Sequence, residues 1–220
     1  MLSDACKPQR HADIVFIVDA SLSEGKADKT LINNSIYTFV SKFTKYPVVP
    51  DRFQFAFVTF SFEADVRFYL NTYKDNVTLV DGIENVATSI ACGGASNVHS
   101  AFEMVRDKVF IQGNGAQNNS GKFIIVFSDG LFSNPESAAN SARTLERDFN
   151  ASIYSVATGP HILHRELLNI ASAPSHVSSI HEFDWMHRIL EGAMFDCGGK
   201  TGTYLQLKKL CNNFNACYLV

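Results

Sequence analysis

DIVFIVDASLS, residues 13–23, decides how this chain is read. After a single acid, residues 14–18 form an unbroken apolar run, the pattern of a strand buried on both faces in the middle of a parallel sheet. The run stops at Asp19, and Ser21 and Ser23 follow two and four residues on. A carboxylate and two hydroxyls are therefore delivered from the end of a buried strand. Open α/β sheets place their ligands at that end.

Working outward, Ile32, Ile36, Phe39, Val40 and Phe43 recur at helical spacing within residues 26–43. FQFAFVTF at 53–60 is the next strand, and ADVRFYL at 64–70 alternates, with Val66, Phe68 and Leu70 on one face. Only Ser61, Phe62 and Glu63 separate them, so the pair is predicted to be an antiparallel hairpin with an outer edge strand. Leu79, Ile83, Val86 and Ile90 mark a second helix, and Val98, Phe102, Val105 and Val109 a third. The Gly/Asn-rich residues 112–121 read as an exposed loop before FIIVF at 123–127, a buried strand. Asn134 and Pro135 cap the next helix, carried by Ala138, Ala142, Leu145 and Phe149. A strand at 153–157, a short helix through Leu163, Leu167 and Ile170, a short strand at 177–180 and a last helix at 184–195 complete the pattern. Such alternation predicts an α/β fold, doubly wound around a mostly parallel six-stranded sheet with helices on both faces. The domain is expected to span residues 12–197, with 198–220 a tail, a linker or the start of a further module.

At 220 residues the chain can bury one sizeable core, and its 46% hydrophobic and 19% charged residues are ordinary for a globular protein. A net charge of -3 argues against nucleic acid, which needs a clustered basic face. No apolar stretch is long enough to insert in a membrane, and residues 1–11 lack the apolar core of an export signal. Either a signal has been removed or the domain is cut from a larger chain. Of five cysteines, Cys6 precedes the first strand and Cys197 follows the last helix, which reads as a disulfide clasp between the domain ends. Cys92 is the odd thiol, expected to be buried or paired with Cys211 or Cys217 in the tail. Four N-x-[ST] sequons, at Asn33, Asn76, Asn118 and Asn150, join the cysteines in favouring a secreted glycoprotein.

Three segments carry the chemistry: Asp19 to Ser23, the loop GGASN at 93–97, and SDG at 128–130 directly after FIIVF. Together they offer carboxylate and hydroxyl oxygen, the donor set of a hard dication such as Mg²⁺ or Mn²⁺. The expected metal ligands are Asp19, Ser21, Ser23, Ser96 and Asp129. Either motif alone has an ordinary reading as a polar turn or helix entry. Both, each after an apolar strand and in this order, point to a metal.

DIVFIVDASLS, GGASN and FIIVFSDG resemble the metal-ion-dependent adhesion site of von Willebrand factor type A domains, integrin inserted domains included. The resemblance covers about residues 13–196. Asp19, Ser21 and Ser23 match the first segment of the family motif, and Asp129 matches its distal aspartate. Ser96 and Ser128 stand where the family commonly has threonine. The resemblance implies sheet order 3-2-1-4-5-6, with the strands carrying Asp19 and Asp129 as neighbours. It also implies an extracellular adhesion or matrix-interaction module whose divalent metal completes its coordination with a partner's Asp or Glu. The partner stays open among collagen, another matrix protein and a host receptor. The alternative within the family is an intracellular scaffold for a multiprotein assembly. The final helix is expected to be locked by the clasp rather than to slide with ligand.

No enzymatic reading survives the sequence. There is no phosphate-binding G-x-x-x-x-G-K-[ST] loop and no G-x-S-x-G elbow, and Ser21 stands where an aspartyl phosphatase needs its second acid. His161 and His164 are read as surface or capping residues, and Trp185 as core.

Overall fold

Phe16 marks the centre of the molecule. It lies midway along β2 (Ala12–Asp19), a strand in which every residue is buried. Its ring packs edge-on to Phe39 at 5.8 Å and stacks on Phe55 at 6.1 Å, with Phe57 and Phe127 at 6.3 and 6.5 Å. Each such aromatic pair adds roughly 0.5–1.5 kcal/mol to the area it buries. This computed structural model describes residues 7–8, 11–21, 26–43, 53–89, 93–183 and 195–196.

β2 pairs in parallel with β3 (Phe53–Phe60) on one side and β5 (Gly121–Ser128) on the other. β4 (Ala64–Phe68) adds antiparallel outside β3, while β6 (Ser152–Ala157) and β7 (Val177–Ser179) continue in parallel beyond β5. The sheet order is β4-β3-β2-β5-β6-β7. Counted from β2 as first strand, this is 3-2-1-4-5-6 with one antiparallel edge. Alternate residues feed two cores. Ile14, Phe16 and Val18 pack with α1 (Lys26–Phe43) and α2 (Asn76–Ser89). Val15 and Ile17 pack with α3 (Val98–Met104), α4 (Pro135–Phe149) and α5 (His164–Ile170). Parallel strands need helical crossovers, and these cover both faces, which is why β2 is buried throughout and apolar from Ile14 to Val18.

Local signals act as the sequence suggests at α4. The Asn134 side chain accepts the Ser137 N–H, Pro135 lies in the first turn, and Asn150 ends the helix in the left-handed conformation at φ 52°.

Three expectations need correction. Val66, Phe68 and Leu70 do not share a face. Phe57 faces Phe68 and Val58 faces Val66, so a bulge interrupts the ladder. Phe68 then joins the Phe16 core, while Val66 and Leu70 join the other. Residues 112–121 are not simply an exposed loop, because Ala116 is buried and Gln117 and Ser120 hold Asp13. Finally, the expected last helix at 184–195 overruns. Phe195 and Asp196 form β8 (Phe195–Asp196), paired with β1 (Lys7–Pro8), and residues 184–194, Trp185 included, lie outside the described residues.

The hold on Asp13 is a buried ion pair. The Lys122 ammonium donates to Asp13 Oδ2 at 2.8 Å, with side-chain exposures of 8% and 0%. The Gln117 N–H and the Ser120 hydroxyl donate to the same oxygen at 3.0 and 2.7 Å. Removing one partner of such a pair leaves an uncompensated buried charge, at a cost of about 3–5 kcal/mol. Asp13→Ala is therefore expected to lower unfolding stability by about that amount in urea titration.

Lys7 faces Asp196 in the antiparallel β1–β8 pair. Cys6 and Cys197 lie outside the described residues, each next in sequence beyond that pair. Facing antiparallel residues hold their Cα atoms about 4.5–5.5 Å apart, within disulfide range. We expect peptide mapping without reduction to recover a Cys6–Cys197 peptide, the long loop contributing roughly 4–5 kcal/mol in the chain-entropy model. Free thiols at both positions would sink the clasp.

Candidate metal centre

The site begins with the register of the three central strands. Asp19 ends β2 beside Phe60 of β3, and Ser128 ends β5. Both side chains emerge at the carboxyl edge of the sheet, where the chain leaves each strand for a loop. Asp19, Ser21, Ser96, Ser128 and Asp129 are all buried, with Asp19 at 0% and Asp129 at 1% exposure.

Asp19 is the hub. Its Oδ1 accepts the Ser21 N–H at 2.9 Å. Its Oδ2 accepts the hydroxyl of Ser96 at 2.7 Å and that of Ser128 at 2.8 Å. Residues 77 and 109 positions downstream thus meet on one carboxylate oxygen. Burial pushes the Asp19 carboxyl above its ordinary range, while the Ser21, Ser96 and Ser128 hydrogen bonds pull the other way. Among the described residues, neither Asp19 nor Asp129 is in an ion pair. Asp129 turns one oxygen to its own loop, its Oδ1 accepting the Leu131 N–H at 2.9 Å.

The loops around this hub are fastened by backbone. Ala20 N–H donates to Phe60 O at 2.7 Å and Gly93 N–H to Ala20 O at 3.0 Å. Asn97 N–H donates to Ser61 O at 2.9 Å and Ser133 N–H to Ser96 O at 2.9 Å. Leu163 N–H reaches Asp129 O at 2.7 Å. That approach needs a glycine beside it. Gly130 has φ 82°, and a Cβ there would lie 2.7 Å from Leu163 O.

Four of the five sequence-derived ligands, Asp19, Ser21, Ser96 and Asp129, stand on adjoining loops of this edge. Ser23 lies outside the described residues. Ser128 was legible only as the residue before the distal aspartate. The fold gives it a definite task, joining Asp19 Oδ2 to the Gly130 N–H, which it accepts at 3.1 Å. His161 and His164 are both exposed, and no cluster of three or more His, Cys, Asp or Glu suited to a metal occurs among the described residues. The donor set is thus two acids and several hydroxyls, hard oxygen throughout, and a dication fits it. It would also supply the positive charge that the buried Asp19 lacks.

The loops at Phe62–Ala64 and Leu131–Asn134, which the sequence marks as surrounding the site, contribute to an apolar collar that Ile162 and Leu163 complete. Phe62 is 69% exposed, Leu131 44%, Ile162 45% and Leu163 42%. Phe62 follows β3, its carbonyl held by the Asn97 amide at 3.1 Å. Leu131 follows β5, and Ile162 and Leu163 follow β6. Asp19 therefore lies between Phe62 on one side and the other three on the opposite side.

Comparison with known proteins agrees with this architecture. The family model for the von Willebrand factor type A domain matches residues 13–191. The collagen alpha-1(XII) chain of Notophthalmus viridescens is 30% identical over 169 residues, 77% of this chain but 17% of that protein. Integrin alpha-M of Mus musculus is 25% identical over 189 residues, 83% of this chain and 16% of its own length. This chain thus spans less than a fifth of either relative. Among solved structures, proximal thread matrix protein 1 from the mussel byssus superposes with a TM-score of 0.72 at 26% identity, covering 87% of this chain and 48% of that one. A further structure of that protein, at 28% identity and TM-score 0.69 over 84% of this chain and 46% of that one, has a zinc-occupied MIDAS motif. With sheet order, core and family model in agreement, this chain belongs to the von Willebrand factor type A domain family.

Proposed function

We propose that this chain is an extracellular adhesion module that binds a matrix protein, collagen among the candidates, through a divalent metal and a carboxylate of the partner. The observation that carries the reading is Asp19, a fully buried carboxylate oriented by donors from Ser21, Ser96 and Ser128 and given no cation by the described residues. Asp19, Ser21, Ser23, Ser96 and Asp129 would hold Mg²⁺ or Mn²⁺, with Ser128 positioning Asp19. Once bound, the ion supplies a Lewis-acidic charge with a coordination position open to an outside anionic oxygen. The chain's own part is to fix oxygen donors at the sheet edge and to wall them with apolar residues. This reading assigns the site no catalysis, makes residues 12–197 the domain, and leaves 198–220 as tail, linker or the start of a further module.

The collar narrows the partner. β2 and β5, which deliver the acids, lie between β3 and β6, so Phe62 and Leu163 bracket the acids from the two sides. A carboxylate flanked on both sides by apolar side chains fits such a surface. Covering the collar would also exclude water from the polar contact and strengthen it.

Calorimetry is expected to detect Mg²⁺ or Mn²⁺ binding to the chain and to lose it in Asp19→Ala and in Asp129→Ala, with both variants folded. Unchanged affinity in both would remove the site assignment. Because burial disfavours the Asp19 charge, Asp19→Asn should melt higher than wild type in EDTA and gain nothing from added metal. About 1 kcal/mol corresponds to roughly 2–4 °C at this chain length.

Adhesion to immobilised matrix protein should vanish in EDTA and return with Mg²⁺. Phe62→Ser and Leu163→Ser should each weaken adhesion about 5–10-fold, the worth of roughly 1 kcal/mol of lost apolar burial, while leaving metal affinity alone. Adhesion that persists in EDTA would place the interface elsewhere.

A further inference from the structure

The four sequons are not equivalent once the chain is folded. Asn33 lies inside α1, half-buried, between the fully buried Ile32 and Ile36, and its Oδ1 is enclosed with no hydrogen-bond partner among the described residues. A sugar on its amide would have to leave from a half-buried position beside that core-facing side of the helix. Asn76 opens α2 half-buried, and the Thr78 hydroxyl of its sequon is held by Asp75. Asn118 and Asn150 are different. Both side chains are exposed, Asn118 in the turn leading into β5 and Asn150 at the left-handed end of α4, two residues before β6.

Their placement is also shared. β5 and β6 run in parallel, so the turns preceding them lie at one end of the sheet and the acids at the other. The eight residues of β5 separate Asn118 from Asp129 by about 25 Å at 3.3 Å per residue.

We infer that Asn118 and Asn150 carry N-linked glycans, that Asn33 does not, and that both glycans stand at the end of the domain away from the metal edge. The inference rests on the extracellular reading above. The co-reactant is a lipid-diphosphate-linked oligosaccharide. The asparagine Nδ2 forms a bond to C1 of the first sugar, the C1–O bond to diphosphate breaks, the lipid diphosphate leaves with that electron pair, and Nδ2 gives up one proton. In the folded chain the Ser120 hydroxyl is committed to Asp13 and Lys122. Transfer to Asn118 therefore precedes closure of that network. The folded domain accommodates the product because the Asn118 side chain points outward while Ser120 points in.

The test is site mapping on the full chain, exported from eukaryotic cells behind a secretion leader. Peptide N-glycosidase in ¹⁸O water converts each glycan-bearing asparagine to labelled aspartate. Label is expected at Asn118 and Asn150 and absent at Asn33, and Asn118→Gln and Asn150→Gln should each remove one glycan's mass. Asn118→Gln is the informative variant because Ser120→Ala would also open the Asp13 network. An unmodified Asn118 or Asn150, a glycan on Asn33, or a chain retained in the cell without sugar overturns the inference. Calorimetry with Mg²⁺ on the same material separates the two ideas. Metal binding without the glycans sinks only this inference, and glycans without metal binding sink only the proposed function.

Discussion

Burying Asp19 constrains everything around it. A carboxylate with no exposure at the end of the central strand is tolerable only if its oxygens are hydrogen-bonded. Donors from Ser21, Ser96 and Ser128 meet that demand, and they come from the turn after β2, the entry to α3 and the end of β5. Placing them fixes where each loop runs. Ser96 can reach Asp19 because the loop before α3 is tied to Ala20 and Ser61 through the backbone, and the loop after Asp129 is tied in turn to Ser96. The carboxyl edge of the sheet is one hydrogen-bonded unit with Asp19 at its centre.

β2 carries a second fully buried acid at its other end, and the contrast is informative. Asp13 has an internal cation, Lys122, together with a hydroxyl and a backbone N–H. Its charge is answered within the fold. Asp19 receives hydroxyls and a backbone N–H but no ammonium or guanidinium from the described residues. One strand thus shows both ways of keeping a carboxylate under the surface. The first closes a structural joint, and the second leaves an electrostatic demand for something from outside to meet.

Much of this was readable in the chain. The unbroken apolar run before Asp19 and the recurrence of FIIVF before Asp129 identify central strands, because only a parallel sheet covered on both faces has a use for them. The short spacer between FQFAFVTF and ADVRFYL leaves room only for a hairpin. What escaped was geometry that depends on residues distant in sequence. The bulge opposite Phe57 has no marker in a stretch that alternates cleanly. The pairing of Asp13 with Lys122 spans 109 positions, and Lys122 reads locally as the polar start of a strand. Leu163 reads in sequence as part of a helix face with Leu167 and Ile170, whereas the fold leaves it exposed just before α5, across Asp19 from Phe62.

The β1–β8 pair sets how the domain meets tension. Its two strands are antiparallel and adjacent, so a pull along the chain on either side of the pair draws Lys7 and Asp196 apart at the same end. In that geometry the force first peels the two residue pairs of the short ladder, one at a time, before load reaches the six-stranded sheet. The metal edge, at the far ends of the strands, stays off the line of force. A covalent bond between Cys6 and Cys197 would shorten that line further, passing load from one side of the chain to the other while the sheet and the candidate metal site remain slack.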